Sequence, residues 1–160
     1  MSDTARAGSN AVSAGGVGLA VLCAQQFNMS YDTVGMNVAL STIVEDLGTT
    51  LTGMQATIDM YAVVMEAFMK TGAKLTDRWG RRRTFMIGTL VYGIGSGITA
   101  LSPSLGWLIF GWSLIEGLGS AFAQPALLTL ATLNFTGAAR TRAFAAIGAM
   151  GGFAAAMAPI

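Results

Sequence analysis

The 160-residue chain has no histidine and one cysteine, Cys23. Without imidazole there is no His-based acid, base or metal ligand set, so zinc enzymes and Ser-His-Asp hydrolases are excluded. A single thiol forms no internal disulfide. Charge is also scarce: 11% of residues are charged and 53% are hydrophobic, a balance too apolar for an ordinary soluble domain. No glycine-rich run is followed by the Lys-Ser/Thr pair of a nucleotide-binding turn, and no cofactor is implied. Basic residues are missing altogether between Arg6 and Lys70.

What is there reads as an all-α polytopic membrane protein. Arg6 followed by an apolar run to Leu22 and Cys23 imitates a secretory or lipoprotein signal. Leu22, however, stands where a lipoprotein signal carries a small residue, and one positive charge makes a weak leader, so an uncleaved first helix is the simpler reading. Residues 1–14 are expected as a disordered cytoplasmic tail and 15–160 as a helical bundle.

A membrane-crossing helix needs about 20 mostly apolar residues. The spacing of apolar runs predicts spans over about 16–40, 54–71, 85–101, 107–133 and 143–160, four full helices and most of a fifth, with a kink at Pro125 in the fourth. The first is polar within, carrying Gln25, Gln26, Asn28, Asp32 and Asn37, and should face other helices or a wet cavity rather than lipid. Glycines at short spacing in the last three spans, among them Gly88, Gly93, Gly95, Gly97, Gly111, Gly117, Gly119, Gly148, Gly151 and Gly152, predict close helix packing.

Charge sets the sidedness. Arg6, the cluster from Lys74 to Arg83, Arg140 and Arg142 lie on flanks that share one side if the spans alternate. The other side has Glu45 and Asp46 and no basic residue. Lys70 can snorkel to the basic side. That side is expected to be the cytoplasm and the membrane the plasma membrane.

Residues 72–83 read Gly-Ala-Lys-Leu-Thr-Asp-Arg-Trp-Gly-Arg-Arg-Arg. They are expected as a short turn, with Gly72 and Gly80 at the two helix ends and Asp77 able to accept hydrogen bonds from helix N-terminal amides. The pattern G-x-L-x-D-R-x-G-R-R resembles the loop between helices two and three of the major facilitator superfamily, through Gly72, Leu75, Asp77, Arg78, Gly80, Arg81 and Arg82. Residues 32–41, Asp-Thr-Val-Gly-Met-Asn-Val-Ala-Leu-Ser, are similar to the D-x-T-x-V-N-V-A-L-P pattern in the first helix of its drug:proton antiporter branch, with Ser41 in place of proline. Residues 116–121, Glu-Gly-Leu-Gly-Ser-Ala, resemble the R-x-x-Q-G-x-G-A-A motif of the fourth helix, although Ser113 occupies the arginine position and Glu116 the glutamine position. Residues 148–160 loosely resemble the glycine-rich antiporter motif, with Ala158 before Pro159 where glycine is usual.

The resemblance implies the N-terminal part of a major facilitator bundle, exporting drugs or small organic molecules against protons. Its partners would be membrane lipid, protons, a small-molecule substrate and the remaining transporter helices. Such carriers rock two halves about a midplane site, so five spans are expected to be inactive alone. The resemblance also implies a conformational role for Asp77, docked on a helix of the second half. Transport would be driven by an ion gradient rather than by ATP. A small integral membrane protein acting as partner or regulator, without carrier activity, is the alternative. A membrane-embedded enzyme lacks its nucleophile or metal set, and the basic turn is too short for nucleic acid.

Four polar residues are candidates for binding substrate or protons: Asp32, Asn37, Glu66 and Glu116. Intramembrane carboxylates are functional by default. Asp59, Glu66 and Lys70 lie within about 40° of one another around a helix. Either Glu66 works in a cavity, or it pairs with Lys70 in the favourable i,i+4 order. Asp32 is a proton or cation site, or it caps backbone opened near Gly35. Glu116 is a proton site or a hydrogen-bonded packing group.

The sidedness has a direct test in a Cys23→Ala background. In intact cells a membrane-impermeant maleimide should label Thr49→Cys and spare Arg82→Cys; labelling of the second alone would reverse the orientation.

Overall fold

The computed structural model describes residues 3–159, with side chains from residue 15 onward. Every element in that range is helical. Helix α1 covers Asp3–Val38 and α2 Leu40–Asp46, joined by a ladder that continues through Ala39 N–H to Gly35 O (2.8 Å) and Ile43 N–H to Ala39 O (2.9 Å). Helix α3 is Leu51–Trp79 and α4 is Arg81–Ala100. Next come α5 (Leu105–Leu108), a π-helical segment (Ile109–Glu116) and α6 (Gly117–Asn134), then α7 (Gly137–Met157). The pieces from Leu105 to Asn134 form one 30-residue helix, long and apolar enough to cross a membrane. Among the described residues it is the one run that meets that test, so the count of four full spans and part of a fifth stays an expectation.

Local chemistry places most of the breaks. Gly48, at φ +58°, ends the first helical stretch, and extended Thr50 caps α3 by accepting the Gly53 N–H on its hydroxyl at 3.1 Å. After α4, the Ser102 hydroxyl donates to Thr99 O at 2.8 Å and closes the turn.

Three boundaries differ from the sequence expectation. Helix α1 begins at Asp3, inside the tail expected as disordered, where Ala5, Ala7, Ala11 and Ala14 favour helix; Met1 and Ser2 lie outside the described residues. The connection expected over 134–142 shortens to Phe135 and Thr136. The turn expected over 72–83 shrinks to Gly80 alone, at φ +85°, a conformation that costs glycine nothing. Nothing between Gly72 and Trp79 stops α3, because Ala73, Lys74, Leu75 and Arg78 all favour helix. The Thr76 hydroxyl also bonds back to Gly72 O at 2.8 Å. Gly72 is therefore inside α3, not at its end.

Contacts group the chain into two compact units, residues 33–130 and residues 1–32 with 131–160. In the first, α4 runs antiparallel to the Leu105–Asn134 helix, backbone to backbone. A methyl group on Gly88 would lie 2.6 Å from Ala123 N, and one on Gly95 2.6 Å from Glu116 N. Further along, Gly119 abuts Tyr92 N and Gly111 would meet Thr99 N at 2.9 Å. Rising numbers on one helix meet falling numbers on the other, so the four contacts form one seam. Without a hydrophobic drive between helices in lipid, such close van der Waals contact supplies association energy.

Helix α3 lies on the same long helix, in parallel. Thr57 meets Ser113, Tyr61 meets Ser120, and Gly72 abuts the Ala121 carbonyl. Position 125, four residues after Ala121, is proline and has no N–H to give that carbonyl. With no side chain, Gly72 lets the α3 backbone approach the freed oxygen, where a Cα–H contact fits. The long helix continues through Pro125. Its departure from α-helical hydrogen bonding comes earlier, at Ile109–Glu116. A core of Met36, Met54, Tyr61, Leu108 and Trp112 closes this unit.

In the other unit α7 packs on α1. A methyl on Gly151 would lie 3.1 Å from Ser30 Oγ, and Phe27 stacks on Tyr31 (5.8 Å between centroids) and meets Phe153 at 6.2 Å. Gly93, Gly97, Gly148 and Gly152 have no neighbour within 4 Å, so only part of the expected small-residue pattern serves packing.

This division of the glycines is measurable. Gly88→Ala, Gly95→Ala and Gly72→Ala should each destabilise the helical unit by about 1–3 kcal/mol through overpacking, while Gly93→Ala and Gly97→Ala should stay within about 0.5 kcal/mol. Thermal unfolding in detergent reads the difference; equal losses at both sets would contradict the seam.

Candidate functional site

The chemistry-bearing side chains concentrate along α3 and the π-helical segment. The Ser113 hydroxyl donates to Thr57 O at 2.7 Å, and the Tyr61 and Ser120 hydroxyls share a hydrogen bond of 2.7 Å. Tyr61 also stacks on Trp112, with centroids 4.5 Å apart and planes 19° from parallel. Thr57, Trp112, Ser113, Ser120 and Glu116 are all fully buried. Glu116 ends the π-helical segment, its backbone set against Gly95 of α4. Wide π turns recur at functional sites because they change which residues a helix presents. Here the wide turn carries Trp112 and Ser113 toward α3 while Gly111 meets α4.

The sequence-derived candidates occupy different environments. Asn37 is exposed, its amide donating to Thr33 O at 2.8 Å. Glu66 and Lys70 are both exposed on α3, and no salt bridge joins them among the described residues. Asp59, on the same face, accepts from Gln55 Nε2 at 3.0 Å. Asp32 is half-buried in α1, in the other unit. Within residues 33–130 no described contact brings Asn37, Glu66 and Glu116 together. Glu66 faces outward while Glu116 is sealed at 0% exposure. Of the 72–83 motif, Gly72 is buried, Leu75 half-buried, and Asp77, Arg78, Gly80, Arg81 and Arg82 are exposed.

Sequence reasoning did not find the Thr57–Ser113 and Tyr61–Ser120 pairs. Their members lie 56 and 59 residues apart, and hydroxyl residues in apolar helices carry no periodic signal. It also did not single out Gln25 by environment. Gln25 is 4% exposed, and its Nε2 finds no hydrogen-bond acceptor among the described residues. Among the described residues no cluster of His, Cys, Asp and Glu could hold a metal ion.

The polar seam makes a specific demand. Ser113→Ala should cost about 1 kcal/mol, the size of one intramolecular hydrogen bond, because Thr57 O retains its place in the α3 ladder. Tyr61→Phe should cost about 1–3 kcal/mol by leaving the buried Ser120 hydroxyl without that bond. A double-mutant cycle between Tyr61→Phe and Ser120→Ala, read by thermal unfolding, should return a coupling energy above 0.5 kcal/mol, whereas simple additivity would deny the bond.

Comparison with known proteins places this geometry. The Major Facilitator Superfamily profile matches residues 17–160. The puromycin resistance protein pur8 of Streptomyces alboniger is 32% identical over 140 residues, which cover 88% of this chain and 28% of that protein. The multidrug efflux pump LfrA of Mycolicibacterium smegmatis is 32% identical over 131 residues, 82% of this chain and 26% of that protein. The cephamycin export protein CmcT of Amycolatopsis lactamdurans is 32% identical over 126 residues, 78% of this chain and 26% of that protein. The chain thus spans little more than a quarter of the length of these relatives. Helices paired through glycine seams and the basic elbow at Gly80 agree with that match, and the chain belongs to the Major Facilitator Superfamily.

Proposed function

We propose that these residues form the N-terminal side of a proton-coupled exporter of drugs or other small organic molecules in the plasma membrane, with the N-terminus and the Gly80 elbow toward the cytoplasm. The observation that carries this reading is the set of relatives named for resistance or export, matched over 78% to 88% of this chain. The carboxylates supply the coupling chemistry. Asp32 on the first helix and Glu116 on the fourth take up and release protons inside the bundle, Asn37 helps to orient substrate, and Glu66 offers negative charge to protons or a cationic substrate.

Glu116 has a distinct role within this reading. Because it is sealed against Gly95, it meets protons rather than substrate. Ser113 stands where the motif has arginine and is bonded to Thr57 O, so no basic side chain serves at that turn. The proton duty therefore moves to the carboxylate three residues on. Rocking of two helical halves about a midplane site performs the cycle in this class of carrier, and the described helices supply one side of it. Transport by these 160 residues alone is not expected, and Asp77 acts by docking on a helix of the opposite half.

A chimera tests the reading. These residues replace the matching stretch of the puromycin resistance protein, and cells are scored for puromycin tolerance with and without a protonophore. The chimera should confer tolerance that the protonophore abolishes. Asp32→Asn and Glu116→Gln should each cut drug export by at least about tenfold at unchanged membrane abundance. Export that ignores the protonophore, or that survives both substitutions, would reject proton coupling at these carboxylates.

A further inference from the structure

The seam between α4 and the Leu105–Asn134 helix keeps an unequal count on its two sides. On α4 the points of contact are Gly88, Tyr92, Gly95 and Thr99, at steps of four, three and four residues. The matching points on the long helix are Ala123, Gly119, Glu116 and Gly111, at steps of four, three and five. Eleven residues on one side, 88 to 99, therefore face twelve on the other, 111 to 123. Eleven residues make about three α-helical turns, so the α4 contacts stay on one face. Twelve make about three and a third, and in an unbroken α-helix Gly111 would stand about 120° around from Ala123. The five-residue step, Gly111 to Glu116, lies inside the π-helical segment. The wide turn is where the surplus residue is taken up.

Plain α-helical winding would have a definite consequence. Trp112 stands eleven residues before Ala123 and would take the place of Gly111 against Thr99. The gap there is already closed: even a methyl on Gly111 would lie 2.9 Å from Thr99 N and 2.8 Å from Ile98 Cγ2. While Gly111 stays against Thr99 and Glu116 against Gly95, the surplus residue is trapped between them. Trp112 is then turned onto Tyr61, at 4.5 Å between centroids, and Ser113 reaches Thr57 O at 2.7 Å. All of these contacts lie inside the unit of residues 33–130.

We infer that the wide turn is a one-residue register switch through which α4 controls the grip of the long helix on α3. With the Gly111–Thr99 contact closed, the segment is π-helical and Trp112 stacks on Tyr61. When that contact opens, the piece from Leu105 to Gly111 rewinds as plain α-helix, turning about 100° relative to the piece after Glu116 and drawing Trp112 off Tyr61. The coupling is reciprocal, so loosening the α3 contacts also weakens the seam at Gly111. The switch is independent of what is carried and of what drives it.

The test uses the full 160-residue chain in detergent, with Trp79→Phe and Trp107→Phe so that Trp112 is the one indole. Gly111→Ala should abolish the near-ultraviolet dichroism of the stacked Trp112, as Tyr61→Leu does, while Gly88→Ala at the far end of the same seam should keep it. Tyr61→Leu should lower the thermal unfolding midpoint far less in a Gly111→Ala background than in a Gly88→Ala background, because the stack is already broken in the first. Equal losses in the two backgrounds, or a Trp112 signal that survives Gly111→Ala, would overturn the switch.

A second measurement does not depend on the glycine variants folding. Deleting the outward-facing Leu114 removes the surplus residue and lets the seam close in plain α-helix, so the unfolding midpoint should hold or rise. Deleting the outward-facing Leu90 of α4 widens the mismatch, and the midpoint should fall. A Leu114 deletion as damaging as the Leu90 deletion would mean that the long helix holds no surplus residue, and that also refutes the proposal.

Discussion

The fold depends on how closely two backbones can approach. Along the seam between α4 and the Leu105–Asn134 helix, glycine at positions 88, 95, 111 and 119 brings main chain against main chain. In a bilayer, where lipid tails compete equally for apolar side chains, contact density and buried hydrogen bonds decide which helices stay together. The seam sets the distance, and α3 then docks on the long helix with its own glycine, its aromatic stack and two hydroxyl bonds. Glu116 is buried where the seam is tight at Gly95.

Proline and glycine act together at the second crossing. Pro125 removes the donor that Ala121 O would use within its own helix, and Gly72 brings the neighbouring backbone to that oxygen. A helix weakened at one residue is thereby supported from outside at the same residue. Gly72 belongs to the motif read first as a turn, yet in the structure it packs inside α3, about two turns before its end.

Composition made the all-helical order readable, and apolar spacing made the long helix at Leu105–Asn134 readable. The break at Gly80 was readable as well, since glycine there is followed by three arginines at a helix start. Helix ends elsewhere were not, because Lys74, Thr76 and Arg78 are polar enough to suggest a loop but continue a helix once it leaves the apolar layer. The candidate site was readable one residue at a time. Asp32, Glu66 and Glu116 stand out as acids in apolar runs, but whether each is exposed or sealed depends on neighbours from other helices. Thr57 with Ser113 and Tyr61 with Ser120 escaped notice for the same reason: each partner is ordinary alone, and only the fold pairs them.

The bond from Ser113 to Thr57 O narrows the routes by which this sequence could acquire an arginine at that turn. A guanidinium needs more than twice the reach of a hydroxymethyl group and brings a charge into a fully buried gap between two helices. It would displace the backbone of α3 and meet Trp112 and Tyr61 on the way. An arginine would fit there only with a smaller aromatic beside it or a widened crossing, so a change at position 113 needs a matching change in its neighbours.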